Sequence, residues 1–201
     1  MSTSYISNTV EEQIAELARL RKQGNIETVG DKQSAHFSNG SSIARVEHMP
    51  WTPFALADSK FKLLAVNWKR DMYVLMLTVP GAISVATHYH LSEAYGYIMT
   101  GGTANAFEYE FGNVFAGDFV GEGENIEHGA VMGDGEVLQV SIIFGGLTGV
   151  APNGGPDLST YYGCKEIYEA AKANGAADHI APPPPGWRSS ILEEALKRFP
   201  S

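Results

Sequence analysis

The chain has 201 residues, 22 of them glycine, and a formal net charge of −9; that is one domain of ordinary size, long enough to bury a core. The negative balance, with no Lys/Arg cluster beyond Lys69-Arg70, argues against nucleic acid and against an anionic membrane surface. The single cysteine, Cys164, excludes an internal disulfide and fits a reducing, cytoplasmic location, and no apolar run of about 18 residues is present to span a membrane.

Residues 1–9 are polar and lack the apolar segment of a secretory signal. The spacing of Ile14, Leu17, Ala18 and Leu20 predicts an amphipathic helix over Val10–Gln23, with Thr9 as N-cap and Gly24 as stop. Residues 25–59 are mixed: Ser42–His48 reads as a strand, and Pro50-Trp-Thr-Pro53 as a rigid extended entry.

From Lys60 the pattern changes to short apolar runs between turn residues. Strands are predicted over Phe61–Trp68, Met72–Val79, Ile83–His90, Tyr95–Thr100, Ala104–Glu110, Asn113–Phe115, Phe119–Val120, Ala130–Met132 and Glu136–Phe144. Strands at this spacing, joined by glycine-rich turns, predict an all-β sandwich or barrel. After Pro152-Asn-Gly-Gly-Pro156 the character becomes helical, over Lys165–Asn174 and again from Ser189 to Phe199, where Ser190 and Glu193 have capping-box spacing. Pro182–Pro185 reads as a semi-rigid spacer or a ligand for a proline-binding domain. The expected division is an N-terminal helix and arm over 1–49, a barrel over 50–150 and a helical extension over 151–201.

Two segments carry candidate chemistry. In Gly81–Gly101, His88 and His90 follow a β-branched run, and on a strand residues two apart share a face. Two imidazoles on one rigid face are a ready pair of metal ligands. About forty residues on, His128 follows the glycine-rich stretch from Gly117 and precedes a second apolar run, where it can meet the first pair from a neighbouring strand.

These segments resemble the two motifs of the cupin superfamily, G-x5-H-x-H-x3,4-E-x6-G and G-x5-P-x-G-x2-H-x3-N. Gly81, His88, His90 and Gly101 match the first, with one extra residue after Gly81; Gly117 and His128 match the second in register. The motif proline, glycine and asparagine are replaced by Gly123, Asn125 and Met132, and the glutamate of the first motif is missing, its two positions being Ala94 and Tyr95. The resemblance, over about residues 50–180, implies a cupin fold (a double-stranded β-helix or jelly-roll barrel), here with added N- and C-terminal helices.

A cupin with three histidines and no glutamate is similar to the iron dioxygenases that cleave acetylacetone or 2,4'-dihydroxyacetophenone. The second type is matched further by Gly96-Tyr-Ile-Met-Thr-Gly101, by G-x4-E over Gly117–Glu122, and by the Gly146–Gly155 turn before a helix. The resemblance implies that His88, His90 and His128 bind Fe(II), with Zn, Mn or Ni as alternatives, and that O2 cleaves a C–C bond beside a carbonyl of a small, aromatic hydroxyketone or a diketone. Three neutral imidazoles leave the ion its full charge and open positions, which suits an anionic bidentate oxygen ligand such as an enolised ketone. The alternatives are a metal-dependent lyase or isomerase on the same three histidines, or a non-catalytic small-molecule-binding cupin.

Glu108 and Tyr95 are the expected catalytic residues, Glu108 standing on a small-residue wall if Ala104 and Ala106 face inward. Tyr97 and Glu110 are weighed beside them as a core residue and a solvated strand end. Gln139 and Ser141 either line the pocket or face water. Glu93 is expected to stay outside the metal site, so that no carboxylate joins the histidines. A homodimer or homotetramer is expected, because an unpaired sheet edge is a liability.

Overall fold

The computed structural model describes residues 34–36, 40–54, 56, 58–110 and 112–199. The predicted helix over Val10–Gln23 lies outside the described residues.

The described chain forms fourteen strands, a short 3-10 turn at Val46–His48 and two helices. Ala35–His36 (β1) and Ser42–Ile43 (β2) pair with each other, so the strand expected to run to His48 ends early. Two six-stranded antiparallel sheets follow. The first is built from Thr52–Pro53 (β3), Lys60–Asn67 (β4), Met72–Val79 (β5), Ala94–Thr100 (β7), Phe119–Glu122 (β10) and Val137–Phe144 (β12), in the order β10-β7-β12-β5-β4-β3. The second is built from Ser84–His90 (β6), Phe107–Tyr109 (β8), Gly112–Val114 (β9), Ile126–Met132 (β11), Leu147–Val150 (β13) and Pro156–Tyr162 (β14), in the order β14-β13-β6-β11-β8-β9.

Alternation along β4 and β5 sends Phe61, Leu63, Tyr73 and Leu75 into the space between the sheets, where each is at most 1 % exposed. Burying side chains of this kind contributes roughly 1.5–3 kcal/mol each. Two expectations need correction. The sheet does not close near residue 150: β13 and β14 extend it to Tyr162 and cover the histidine-bearing strand β6. The strand expected over Ala104–Glu110 begins only at Phe107.

The C-terminal segment is fastened to the first sheet. Cys164–Ala173 (α1) packs on β4 and is capped by the Glu166 carboxylate, which accepts the Gly163 N–H at 3.2 Å. His179 is fully buried and its Nε2–H donates to the Leu63 carbonyl at 2.8 Å, beside a register shift in β4. Pro182–Pro185 runs between two indole anchors: Trp68 Nε1 donates to Ala181 O at 2.8 Å and Trp187 Nε1 to Trp68 O at 2.7 Å. Ser190–Arg198 (α2) is capped by Ser189, whose Oγ accepts the Leu192 N–H at 2.9 Å; the cap is one residue earlier than the capping-box spacing suggests. The same Ser189 hydroxyl donates to the buried carboxylate of Asp71 in the β4–β5 turn.

Candidate metal centre

β6 and β11 lie side by side, with His88 directly opposite His128 and His90 opposite Ile126. Two residues of β6, Ala86 and Thr87, face one of β11, so β6 carries a bulge just before the histidines. The bulge absorbs the extra residue counted after Gly81. It resets the strand's parity, so that Val85, His88 and His90 all face inward.

The histidine nitrogens converge. His88 Nε2 and His90 Nε2 are 3.2 Å apart, and one nitrogen from each of His88, His90 and His128 lies within 4.8 Å of the others. All three side chains are buried. His88 Nδ1 donates to the Ala86 carbonyl at 3.0 Å, which assigns the tautomer and leaves Nε2 with its lone pair facing the cluster. His128 Nε2 is buried without a hydrogen-bond partner. An unsatisfied ring nitrogen aimed at two others fits a metal ion. Two ligands about 2.1 Å from an ion and 90–110° apart stand roughly 3.0–3.4 Å from each other, and the observed 3.2 Å falls in that range.

A carboxylate stands beside the cluster. Glu122 ends β10, on the opposite sheet, and its Oε2 stands 3.1 Å from His90 Nε2 and 3.5 Å from His128 Nε2. The Tyr109 hydroxyl donates to its other oxygen. From Glu122 the chain crosses between sheets through Gly123-Glu124-Asn125 and enters β11. Asn125 N–H donates to His90 O at 2.9 Å, and its φ of 57° is left-handed. Asparagine tolerates that backbone better than other non-glycine residues, so its replacement of the motif glycine preserves the turn. Glu122 is therefore the carboxylate that bears on the expectation that none joins the histidines: it stands against His90 and His128, while the convergent nitrogens are those of the three histidines alone.

Burial governs the electrostatics. It holds the His90 imidazole well below its usual pKa, with neighbouring His88 and His128 adding to the effect. His88 is lowered by burial and then by His128, and His128 by burial. All three are kept neutral, the form that binds metal. Burial raises the Glu122 carboxyl above its usual range against the opposing Tyr109 hydrogen bond, and it raises the Tyr109 phenol, with Glu122 second among the causes.

The cluster opens into a cavity of about 100 Å³ between the sheets, room for several water-sized groups. Its walls are mostly apolar, including Leu77, Ile98, Phe107, Val120, Met132 and Ile143. Gln139 and Ser141 line it too, with Gln139 Nε2 donating to Ser141 Oγ at 2.9 Å.

Glu108 does not line the cavity. It is exposed between inward-facing Phe107 and Tyr109, because the late start of β8 reverses the parity expected from Ala104 and Ala106. Tyr95 borders the cavity, but its hydroxyl donates at 3.1 Å to the exposed Glu93, away from the histidines. Tyr97 is 49 % exposed and is not a core residue. Sequence reasoning did not single out Glu122 or Tyr109; the one signal for Glu122 was the G-x4-E run from Gly117.

The ChrR cupin-like domain family matches residues 39–143. Among curated protein sequences, none matches the chain. Solved structures share the fold. An acetylacetone dioxygenase from Acinetobacter johnsonii is 18 % identical with a TM-score of 0.54, over 74 % of this chain and 99 % of that one. A protein named as a candidate acetylacetone dioxygenase from Methylibium petroleiphilum PM1 is 20 % identical with a TM-score of 0.56, over 65 % and 94 %. An RmlC-like cupin from Ralstonia eutropha JMP134 is 18 % identical with a TM-score of 0.56, over 66 % and 87 %.

Proposed function

The chain belongs to the ChrR cupin-like domain family, and from that premise we propose that it is a metal-dependent dioxygenase that cleaves a C–C bond beside the carbonyl of a small hydroxyketone or diketone. The observation that carries the reading is three buried imidazoles facing one part-buried carboxylate in a mostly apolar cavity.

His88, His90 and His128 would hold a divalent ion (Fe(II) first, with Zn, Mn or Ni as alternatives), which would supply Lewis acidity towards an anionic oxygen ligand and, as Fe(II), redox chemistry with O2. Glu122 is the base that takes the proton released when the ketone enolises, because its carboxylate borders the cavity beside the histidines. Tyr109 donates to one oxygen of Glu122 and fixes the direction of the other, which faces the histidines. The apolar walls exclude water and strengthen each of these contacts. With an α-hydroxyketone and O2 the balanced products are two acids, each keeping one oxygen atom of the dioxygen.

The same reading places the protein in the cytoplasm as a homo-oligomer. Among the described residues no helix is long and apolar enough to cross a membrane. Tyr97 and Phe119 pair on neighbouring strands at the β10 edge and expose an apolar patch with Met99, which suits a second copy. Sedimentation at micromolar concentration should give a dimer or tetramer; a monomer counts against assembly.

An oxygen electrode tests the activity. Fe(II)-loaded protein should consume O2 with acetylacetone or a 2-hydroxyacetophenone, and His128→Ala should not. Turnover at the same rate without oxygen would favour a lyase or isomerase. Binding without turnover would favour a ligand-binding cupin.

A further inference from the structure

Gly96 sits in the middle of β7, on the wall of the cavity that faces the histidines. Its neighbours two places away, Ala94 and Ile98, are buried and line the cavity, so Gly96 faces the same way. Its cross-strand partners, Val120 on β10 and Ser141 on β12, line the cavity as well. A methyl group placed on Gly96 would have no atom within 4 Å. Gly121, next door on β10, faces the other side and is covered by the Tyr95 ring at 3.5 Å. The open space is therefore on the inner face at Gly96.

Backbone geometry does not demand glycine there. Gly96 is absent from the positive-φ residues and lies in regular strand, where glycine is weakly disfavoured for want of a side chain to pack. What glycine provides is bare backbone for a flat group to lie on. One side of this opening is polar: besides the hydrogen bond between them, Gln139 has an amide oxygen that accepts and Ser141 a hydroxyl that donates. Every other neighbour along this row, Ala94, Ile98 and Val120, is apolar.

We propose that Gly96 is the specificity-determining position of the cavity: it holds open a flat subsite, bounded on one side by the Gln139–Ser141 pair, that takes a planar aryl group carrying a polar substituent. The inference rests on the cavity being the ketone site, and it adds which part of the ketone lies where. The carbonyl end meets the histidines and Glu122, while the ring lies on Gly96 with its substituent at Gln139 and Ser141.

Calorimetry on Zn(II)-loaded protein tests this without turnover, using 2-hydroxyacetophenone, 2,4'-dihydroxyacetophenone and acetylacetone as probes, with metal content and Tm measured on each variant. Gly96→Leu should weaken both aryl ketones on the order of tenfold or more, by filling their space, and leave acetylacetone within about threefold. Gly96→Ala should fall between. Metal content and Tm should hold, because the added carbons enter open space. Gln139→Leu should lower the preference for the ring-hydroxylated ketone by about five- to tenfold, one hydrogen bond's worth. Equal weakening of all three probes, no change for any, or loss of metal or fold in Gly96→Leu would overturn the proposal, as would a wild type that binds no aryl ketone. Wild-type aryl binding with the predicted pattern but no O2 uptake would leave the subsite standing and remove the dioxygenase reading alone.

Discussion

Replacing Glu122 by glutamine should separate the residue's part in positioning from a part in ligation. Its carboxylate touches His90 Nε2 at 3.1 Å and His128 Nε2 at 3.5 Å, yet it is largely shielded from water and its pKa is raised, so the charge is held at a desolvation cost. Two effects of opposite sign follow. The metal-free variant is relieved of a desolvated charge and should be as stable as the parent or slightly more so. The metal-loaded variant loses a group that orients the ligands, which typically costs 10–100-fold in affinity, about 1.4–2.7 kcal/mol. At roughly 2–4 °C per kcal/mol for a domain of this size, the rise in Tm on adding saturating Zn(II) or Fe(II) should shrink by about 3–11 °C. Differential scanning fluorimetry with and without metal reads both effects, and competition with a chromophoric chelator gives the affinity directly. If Glu122→Gln empties the site as fully as His128→Ala, the carboxylate is a fourth ligand and the positioning argument is wrong. If the metal-induced rise in Tm is unchanged, the carboxylate does not sense the ion at all.

The fully buried His179 should make the fold acid-sensitive. Burial depresses its pKa, so below the unfolded value of about 6.5 only the unfolded chain takes up that proton. Its contribution is complete above that pH and is lost as pH falls towards the folded pKa. His179→Gln should therefore flatten the acid limb by up to about 1.4 kcal/mol per pH unit in urea unfolding between pH 7 and 5, and an unchanged slope contradicts the assignment. Ser189→Ala removes both the cap of α2 and the hydroxyl bonded to buried Asp71. It should cost about 1–3 kcal/mol in the same assay, whereas a loss below about 0.5 kcal/mol would mean that neither bond matters. Glu108→Gln should change any turnover less than about twofold, because an exposed charge on the outer face of β8 is well screened from the cavity; a tenfold fall would restore it as a candidate base.

Much of the sheet framework was legible because its strands alternate cleanly or are fully apolar. Lys60–Asn67, Met72–Val79 and Val137–Phe144 lie within a residue of where the pattern puts them. His88, His90 and His128 could be paired in advance because residues two apart on a strand share a face and their motifs stand in order. What failed did so where parity was broken or where the chain changes sheets. The residues before Phe107 turn rather than extend, and that single late start exchanges Glu108 for Tyr109 on the inner face. Glu122 reaches His90 only because the Gly123–Asn125 crossover carries the chain from one sheet to the other, a non-local contact that no periodicity encodes. Strand β14 was missed because Pro152-Asn-Gly-Gly-Pro156 reads as the end of a domain, whereas it is the hairpin turn joining β13 to β14.

The most direct test of the central claim is the fate of isotopically labelled dioxygen. Fe(II)-loaded protein should be given 2,4'-dihydroxyacetophenone under ¹⁸O₂ and the products read by mass spectrometry. The account predicts two acids, a hydroxybenzoate and formate, each carrying one labelled oxygen atom, with no product under argon and none from His88→Ala. Product formed under argon, or acids free of label, would contradict it.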